Sequence, residues 1–241
     1  MITIPLVEDV PVISSGMNVK ELKRFILKVY LCLFFQVMCF LLSISLTKIF
    51  NLREFYVSDI GRGILGISIF LSLIPIFITC FCEKYFTIFP LNYLLFFLFT
   101  FGTSYTIGTV SSFVKEDTLL LSVFITSIDS FVMTLIGLMS NWGFNISYFN
   151  QFLTILFVSL ISISIFNIFL MSSFLQLFTA CLGSILFSAF IIYDTKLITD
   201  KTYKVYKKED FIIASINLYL DIVNLFFYIL QILSLSGGSS N

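Results

Sequence analysis

Residues 211–235 read FIIASINLYLDIVNLFFYILQILSL, with no basic residue and one acid, Asp221. A helix needs roughly 20 mostly apolar residues to cross a bilayer, and this run is long enough. Asn217, Asp221 and Asn224 recur four and three residues apart, so they share one helical face. The opposite face is Leu, Val, Ile and Phe. A polar stripe on an otherwise apolar span turns toward the bundle interior rather than toward lipid. This segment therefore reads as a central helix that lines any water path. The bland alternative is hydrogen-bonded glue between helices, worth about 0.6–2 kcal/mol per contact.

Six further runs of the same kind lie upstream, at about 29–47, 64–82, 90–113, 118–140, 151–171 and 173–198. Charged or polar breaks separate them, except at Ser172-Ser173, which reads as a tight hairpin or a kink. The organisation expected is a cytosolic N-terminal segment (1–28), a seven-helix transmembrane domain (29–235) and a flexible tail (236–241). No length remains for a separate soluble domain. Composition agrees: the 241 residues are 59% hydrophobic and 12% charged, where soluble domains carry about 25% charged residues. The class is an all-α integral membrane protein with seven transmembrane helices.

Orientation follows from Lys and Arg in short loops. Ten basic residues, including Lys20, Lys23, Arg24, Lys28 and the cluster from Lys196 to Lys208, fall on the side of the N-terminus, and four fall on the other. The N-terminus is thus expected in the cytosol, which also places the Asn145-Ile146-Ser147 glycosylation pattern there, away from modification. The first span acts as the targeting signal, since Glu8, Asp9, Pro5 and Pro11 do not suit a cleaved peptide. Cys32, Cys39, Cys80, Cys82 and Cys181 lie in or at the ends of spans and read as apolar packing. Gly61, Gly63 and Gly66, with Ala180, Gly183, Ser184, Ser188 and Ala189 in the sixth span, read as close-approach positions between helices.

The formal charge is zero, which argues against nucleic acid as a partner, and there is no His, which removes imidazole catalysis, relays and metal sites. Three acids remain inside the apolar runs: Asp129 mid-way along the fourth, Asp194 late in the sixth and Asp221 in the seventh. Each ionisable group in a span costs about 2.5–3.5 kcal/mol on insertion scales, and no Lys or Arg shares those stretches. Two carboxyls in one poorly solvated site resist ionising together. Asp194 and Asp221 are therefore the candidate pH-sensing pore aspartates. Asn217, Asn224 and Asp129 are candidates for lining a pore. Glu209 and Asp210 begin the last helix, where acids complement its dipole or form a cation-attracting vestibule.

Two segments carry a resemblance: Phe187-Ser188-Ala189-Phe190-Ile191-Ile192-Tyr193-Asp194-Thr195, and residues 214–226 with Asn217, Asp221 and Asn224. They resemble the signature segments of the transmembrane BAX-inhibitor motif (lifeguard) family. Lys28-Val29-Tyr30 with Gln36, and Pro90-Leu91-Asn92, are similar to its Golgi anti-apoptotic branch, which has cellular and poxviral members. The resemblance implies a seventh helix surrounded by the other six, and calcium leak or cation conduction from Golgi or endoplasmic-reticulum stores with reduced sensitivity to apoptosis. It places the family's paired aspartates on Asp194 and Asp221, and a further acid implicated in conduction on Glu209. Some bacterial relatives latch the sixth-helix aspartate with an Arg at the end of the second span; here that neighbourhood offers Lys84. Asp129 departs from the family pattern.

A tight Ca²⁺ site wants six to eight oxygen ligands, which a few dispersed carboxyls do not supply. Calcium is then expected as a permeant ion, with other cations admitted, no tight metal site, no cofactor and no enzymatic activity. The lipid bilayer is the principal partner; a homo-oligomer or apoptosis-related membrane proteins are further partners to consider. The rivals are a non-conducting anti-apoptotic scaffold, an intramembrane aspartyl protease and a seven-helix receptor. The protease's Gly-x-Gly-Asp is replaced by Tyr219-Leu220-Asp221, and the receptor motifs Asp-Arg-Tyr and Asn-Pro-x-x-Tyr do not occur.

Overall fold

The computed structural model describes residues 17–81, 88–139, 146–199 and 205–237. Lys84, Cys82, Asn145, residues 1–16 and the last four residues of the tail lie outside them. The described residues form α1 (Val19–Ile49), α2 (Arg53–Val57), α3 (Asp59–Phe81), α4 (Leu91–Ser112), α5 (Glu116–Met139), α6 (Ile146–Leu170), α7 (Ser173–Thr199) and α8 (Phe211–Gly237). All but α2 are long and apolar enough to cross a membrane, so the protein is an integral membrane protein with seven candidate spans.

Helix boundaries follow local chemistry where it differs from hydropathy. The helix α1 starts ten residues before its apolar run. Asn18 and Glu21 form a capping box, with the Asn18 N–H donating to Glu21 Oε2 at 2.9 Å. At 1.5 Å per residue its 31 residues extend about 46 Å, so its basic first turns project beyond a ~30 Å hydrocarbon core. Asn51, with φ 47°, ends it in the left-handed region that Asn tolerates. The hairpin at Ser172-Ser173 is likewise a true break. Met171 has φ 48°, Asn167 Oδ1 accepts from the Ser172 N–H, and Ser172 Oγ accepts from the Leu175 N–H.

The short helix α2 lies in the break read as a charged loop. Its Tyr56 is buried, shares a 3.0 Å hydroxyl contact with Thr47 and meets the Tyr105 ring edge-on. Gly61 is required here: a Cβ would sit on the Phe55 carbonyl. Gly63 and Gly66 face open space, so they are not close-approach positions. Gly183 is one, because a Cβ there would enter the Tyr228 ring.

Facing pairs fix the directions of the spans. Phe35 with Phe96, and Ser43 with Ser104, run α1 parallel to α4. Phe40 with Phe226 and Lys28 with Phe211 run α1 parallel to α8. Asp129 with Ser188, and Gly137 with Thr195, run α5 parallel to α7. Phe187 with Tyr228 and Asp194 with Asp221 set α7 antiparallel to α8, and Phe149 with Tyr193 and Phe157 with Phe187 set α6 antiparallel to α7. This alternation is what successive crossings require.

The helix α8 is central: it packs against α1, α4, α5 and α7, while α3 leans on α4 and α6 leans on α7. The largest buried side chains include Tyr219, Phe226, Ile212 and Ile216 of α8. The least apolar span, α4, is the most enclosed. Its hydroxyls turn inward onto their own helix, as when Thr100 donates to the Phe96 carbonyl and Ser111 to the Ile107 carbonyl.

Candidate functional site

Asp194 sits five residues before the end of α7, and Asp221 ten residues into α8. Each is 8% exposed, and no described Lys or Arg pairs with either. The antiparallel packing of α7 on α8 brings the two carboxyls within electrostatic reach of each other. Asp221 Oδ2 is fully buried with no hydrogen-bonding partner among the described protein atoms. Sequence reasoning had singled out both residues.

Tyr206, in the segment leading into α8, closes the pair on that face. It is buried, packs 6.0 Å from the Phe25 ring and accepts a 3.3 Å hydrogen bond from Asn217 Nδ2. Burial pushes its phenol well above the usual value; the charges of Asp194, Tyr193 and Asp221 add to this, and the Asn217 bond opposes it. Tyr206 was not found from sequence because it stands in a Lys-rich loop, where surrounding charge masks a buried aromatic. Asn217 thus joins the site. The Asn224 amide donates instead to its own helix, at the Leu220 carbonyl, 2.8 Å away.

Glu209 does not meet the pair. It is 3.8 Å from Lys208 Nζ in a vestibule of about 400 Å³ lined by Glu21, Arg24, Phe25, Lys28, Asn92 and Phe211. Lys28 lies over the Phe211 ring at 4.9 Å. Asp210, beside it, is the first residue to cap α8, its Oδ2 accepting from the Lys207 N–H at 2.8 Å and its carbonyl from Ala214. Burial raises the Asp210 carboxyl above its usual range, opposed by the Lys207 N–H bond and charge.

Asp129 also stands apart. Its Oδ2 accepts a 2.6 Å bond from Ser188 Oγ. It borders a groove of about 430 Å³ between α5, α7 and α8, lined by Ile125, Met133, Ile185 and Leu225. Ser188 precedes Asp194 by six residues, about 9 Å along α7. Among the described residues no group of three or more acids or Cys is arranged to hold a metal ion. Cys32, Cys39 and Cys181 are free thiols.

Comparison with known proteins identifies the family. The family described as "Inhibitor of apoptosis-promoting Bax1" matches residues 22–238. The chain is 29% identical to Protein LIFEGUARD 3 of Arabidopsis thaliana over 218 residues, covering 87% of this chain and 83% of that one. It is 27% identical to Protein lifeguard 3 of Homo sapiens over 213 residues, covering 87% and 68%. It is 32% identical to the Golgi anti-apoptotic protein of Vaccinia virus (strain Lister) over 147 residues, covering 61% and 60%. With a match through all seven candidate spans, the chain belongs to the BAX-inhibitor (lifeguard) family.

Proposed function

We propose that the protein is a calcium leak pathway of Golgi or endoplasmic-reticulum membranes, sensitive to pH, which lowers store calcium and so restrains apoptosis. The observation that carries this reading is the Asp194–Asp221 pair, two buried carboxyls on packed helices with no basic partner among the described residues. A structural role alone is poorly served by such a pair, since replacing buried charge by apolar side chains is often neutral or stabilising. Sharing one proton between them makes their net charge a function of pH. A change of that charge alters how α7 and α8 hold together and how strongly the site attracts a cation.

The surroundings suit conduction better than storage. Weak, dispersed oxygen ligands let an ion leave as well as enter, whereas a buffer needs a closed cage. Glu209 does not add to this support, because Arg24, Lys28 and Lys208 share its vestibule with only Glu21 as a second acid among the described residues. The family's association with apoptosis, and the name of the vaccinia relative, support the anti-apoptotic and Golgi parts of the proposal.

Calcium efflux from vesicles holding the purified protein tests it. Asp221→Asn is expected to change the efflux and its dependence on pH; a scaffold without a conducting role would give no protein-dependent efflux at all.

A further inference from the structure

Three helices begin at the vestibule: Val19 opens α1, Leu91 opens α4 and Phe211 opens α8. A helix N-terminus carries about half a positive charge on its unpaired N–H groups. Arg24, Lys28 and Lys208 line the cavity of about 400 Å³, against Glu21 and Glu209. Both acids are already engaged. Glu21 Oε2 accepts from the Asn18 N–H at 2.9 Å, and Glu209 lies 3.8 Å from Lys208 Nζ. Among the described residues no carboxylate lies within ion-pair distance of Arg24 or Lys28. Lys28 is fixed at the rim over the Phe211 ring, 4.9 Å away. The vestibule is therefore electropositive and suits an anion.

Asn92 gives a second, independent sign of a guest. It lines the vestibule and is 7% exposed. Its Oδ1 accepts from the Tyr93 N–H at 2.9 Å, while its Nδ2 has no acceptor among the described protein atoms. A buried donor left unpaired is costly. Water can serve this amide, but an anion also serves two unpaired cations and three helix N-termini.

The surroundings identify what carries the anion. One and two turns deeper than Lys28 along α1, Leu31 and Phe35 are 58% and 38% exposed. Phe97 of α4, edge-on to Phe35, is 41% exposed. On spanning helices such outward apolar side chains meet acyl chains. A molecule with phosphate in the vestibule and hydrocarbon along Leu31, Phe35 and Phe97 is a phospholipid. Basic pockets between spanning helices at the membrane surface take such headgroups. A phosphomonoester brings about −1.5 to −2 charges and three acceptor oxygens, whereas a zwitterionic headgroup brings an ammonium that the basic side chains repel. Glu21 and Glu209 can accept from the hydroxyls of an inositol ring, which phosphatidic acid lacks.

We infer that the vestibule is a binding site for a phosphatidylinositol phosphate of the adjoining leaflet, its phosphomonoester held by Arg24, Lys28, Lys208 and the Asn92 amide. The site stands whether or not the protein conducts calcium.

Native mass spectrometry of the full chain, released from micelles of phosphatidylcholine doped with phosphatidylinositol phosphate, counts the lipids retained. The wild type is expected to keep the phosphorylated lipid in preference to phosphatidylcholine. The double variant Arg24→Ala/Lys28→Ala should lower that affinity about tenfold or more, as loss of charge-assisted hydrogen bonds requires. Both side chains are exposed, so the variant is expected to keep the wild-type melting temperature in phosphatidylcholine alone. Asn92→Leu keeps every charge and should still weaken binding about threefold or more. Lys20→Ala/Lys23→Ala removes equal charge from the same end of α1 outside the vestibule, and should leave the affinity within about threefold of wild type. Equal losses in the two double variants would reduce the effect to surface attraction and overturn the site. Phosphatidylcholine retained equally well would overturn it too. Stabilisation by inorganic phosphate without retention of the lipid would assign the vestibule to a free anion and overturn the lipid reading.

Discussion

At the scale of single residues, the three intramembrane acids have three different settings. Among the described residues Asp129 accepts one side-chain bond, from Ser188 Oγ, and it borders a groove of mostly apolar side chains. Removing the donor while keeping the acid strands a polar group, whereas removing the acid itself removes the difficulty. Ser188→Ala is therefore expected to destabilise the protein by about 1–3 kcal/mol, and Asp129→Leu to leave it unchanged or more stable. Thermal unfolding in detergent compares them; a larger loss in Asp129→Leu would show that the acid is needed for the fold. Asp129 was legible as unusual because any acid in an apolar run stands out. Its separation from the Asp194–Asp221 pair was not, since chain position along α5 says nothing about which face of α7 it meets. Tyr206 marks the opposite failure: burial within a basic loop leaves no trace in composition.

At the scale of helices, small residues and caps decide how closely the spans approach. Gly183 touches the Tyr228 ring, so Gly183→Leu overpacks the α7–α8 contact and should cost about 1–3 kcal/mol or more. Gly63, with open space around it, should accept Ala with a gain of up to about 1 kcal/mol from helix propensity. Equal effects at the two sites would contradict the packing described. The seven spans were legible because lipid imposes a length and a composition on each. The short helix α2 was not, since its five residues carry charge and only Tyr56 is buried. Nor was the enclosure of α4, although its run of Thr, Ser and Gly carries the signal: a span short of apolar surface is one shielded from lipid.

The cap of α8 gives a pH dependence with a definite sign. Burial raises the folded-state Asp210 carboxyl, so folding favours its protonated form. That contribution is present below the ordinary carboxylate value near 4 and is lost as pH rises through the raised folded value. Asp210→Asn keeps an oxygen to accept from the Lys207 N–H while removing the titration. The difference in melting temperature, variant minus wild type, should therefore rise as pH climbs above the ordinary carboxylate value of about 4. A flat difference would contradict this setting for Asp210.

For the whole molecule, an odd number of crossings puts the two ends of the bundle's chain on opposite faces. By the count of basic residues, the N-terminal face is expected in the cytosol. Selective permeabilisation of cells carrying a tag at either end is expected to expose the N-terminal tag to antibody without opening the organelle, and the C-terminal tag only afterwards; the reverse order would invert the orientation. In that orientation the vestibule, Glu209 and Tyr206 would face the cytosol. Cytosolic protons would reach the aspartate pair past Tyr206.

Asp194 and Asp221 are proposed as the titrating element of a calcium leak. Its most direct measurement is calcium efflux from vesicles containing the purified wild type, Asp194→Asn or Asp221→Asn, followed across pH. Protein-dependent efflux is expected to vary with pH in the wild type and to lose most of that variation in each variant. Efflux with the same magnitude and the same pH profile in all three proteins would contradict it.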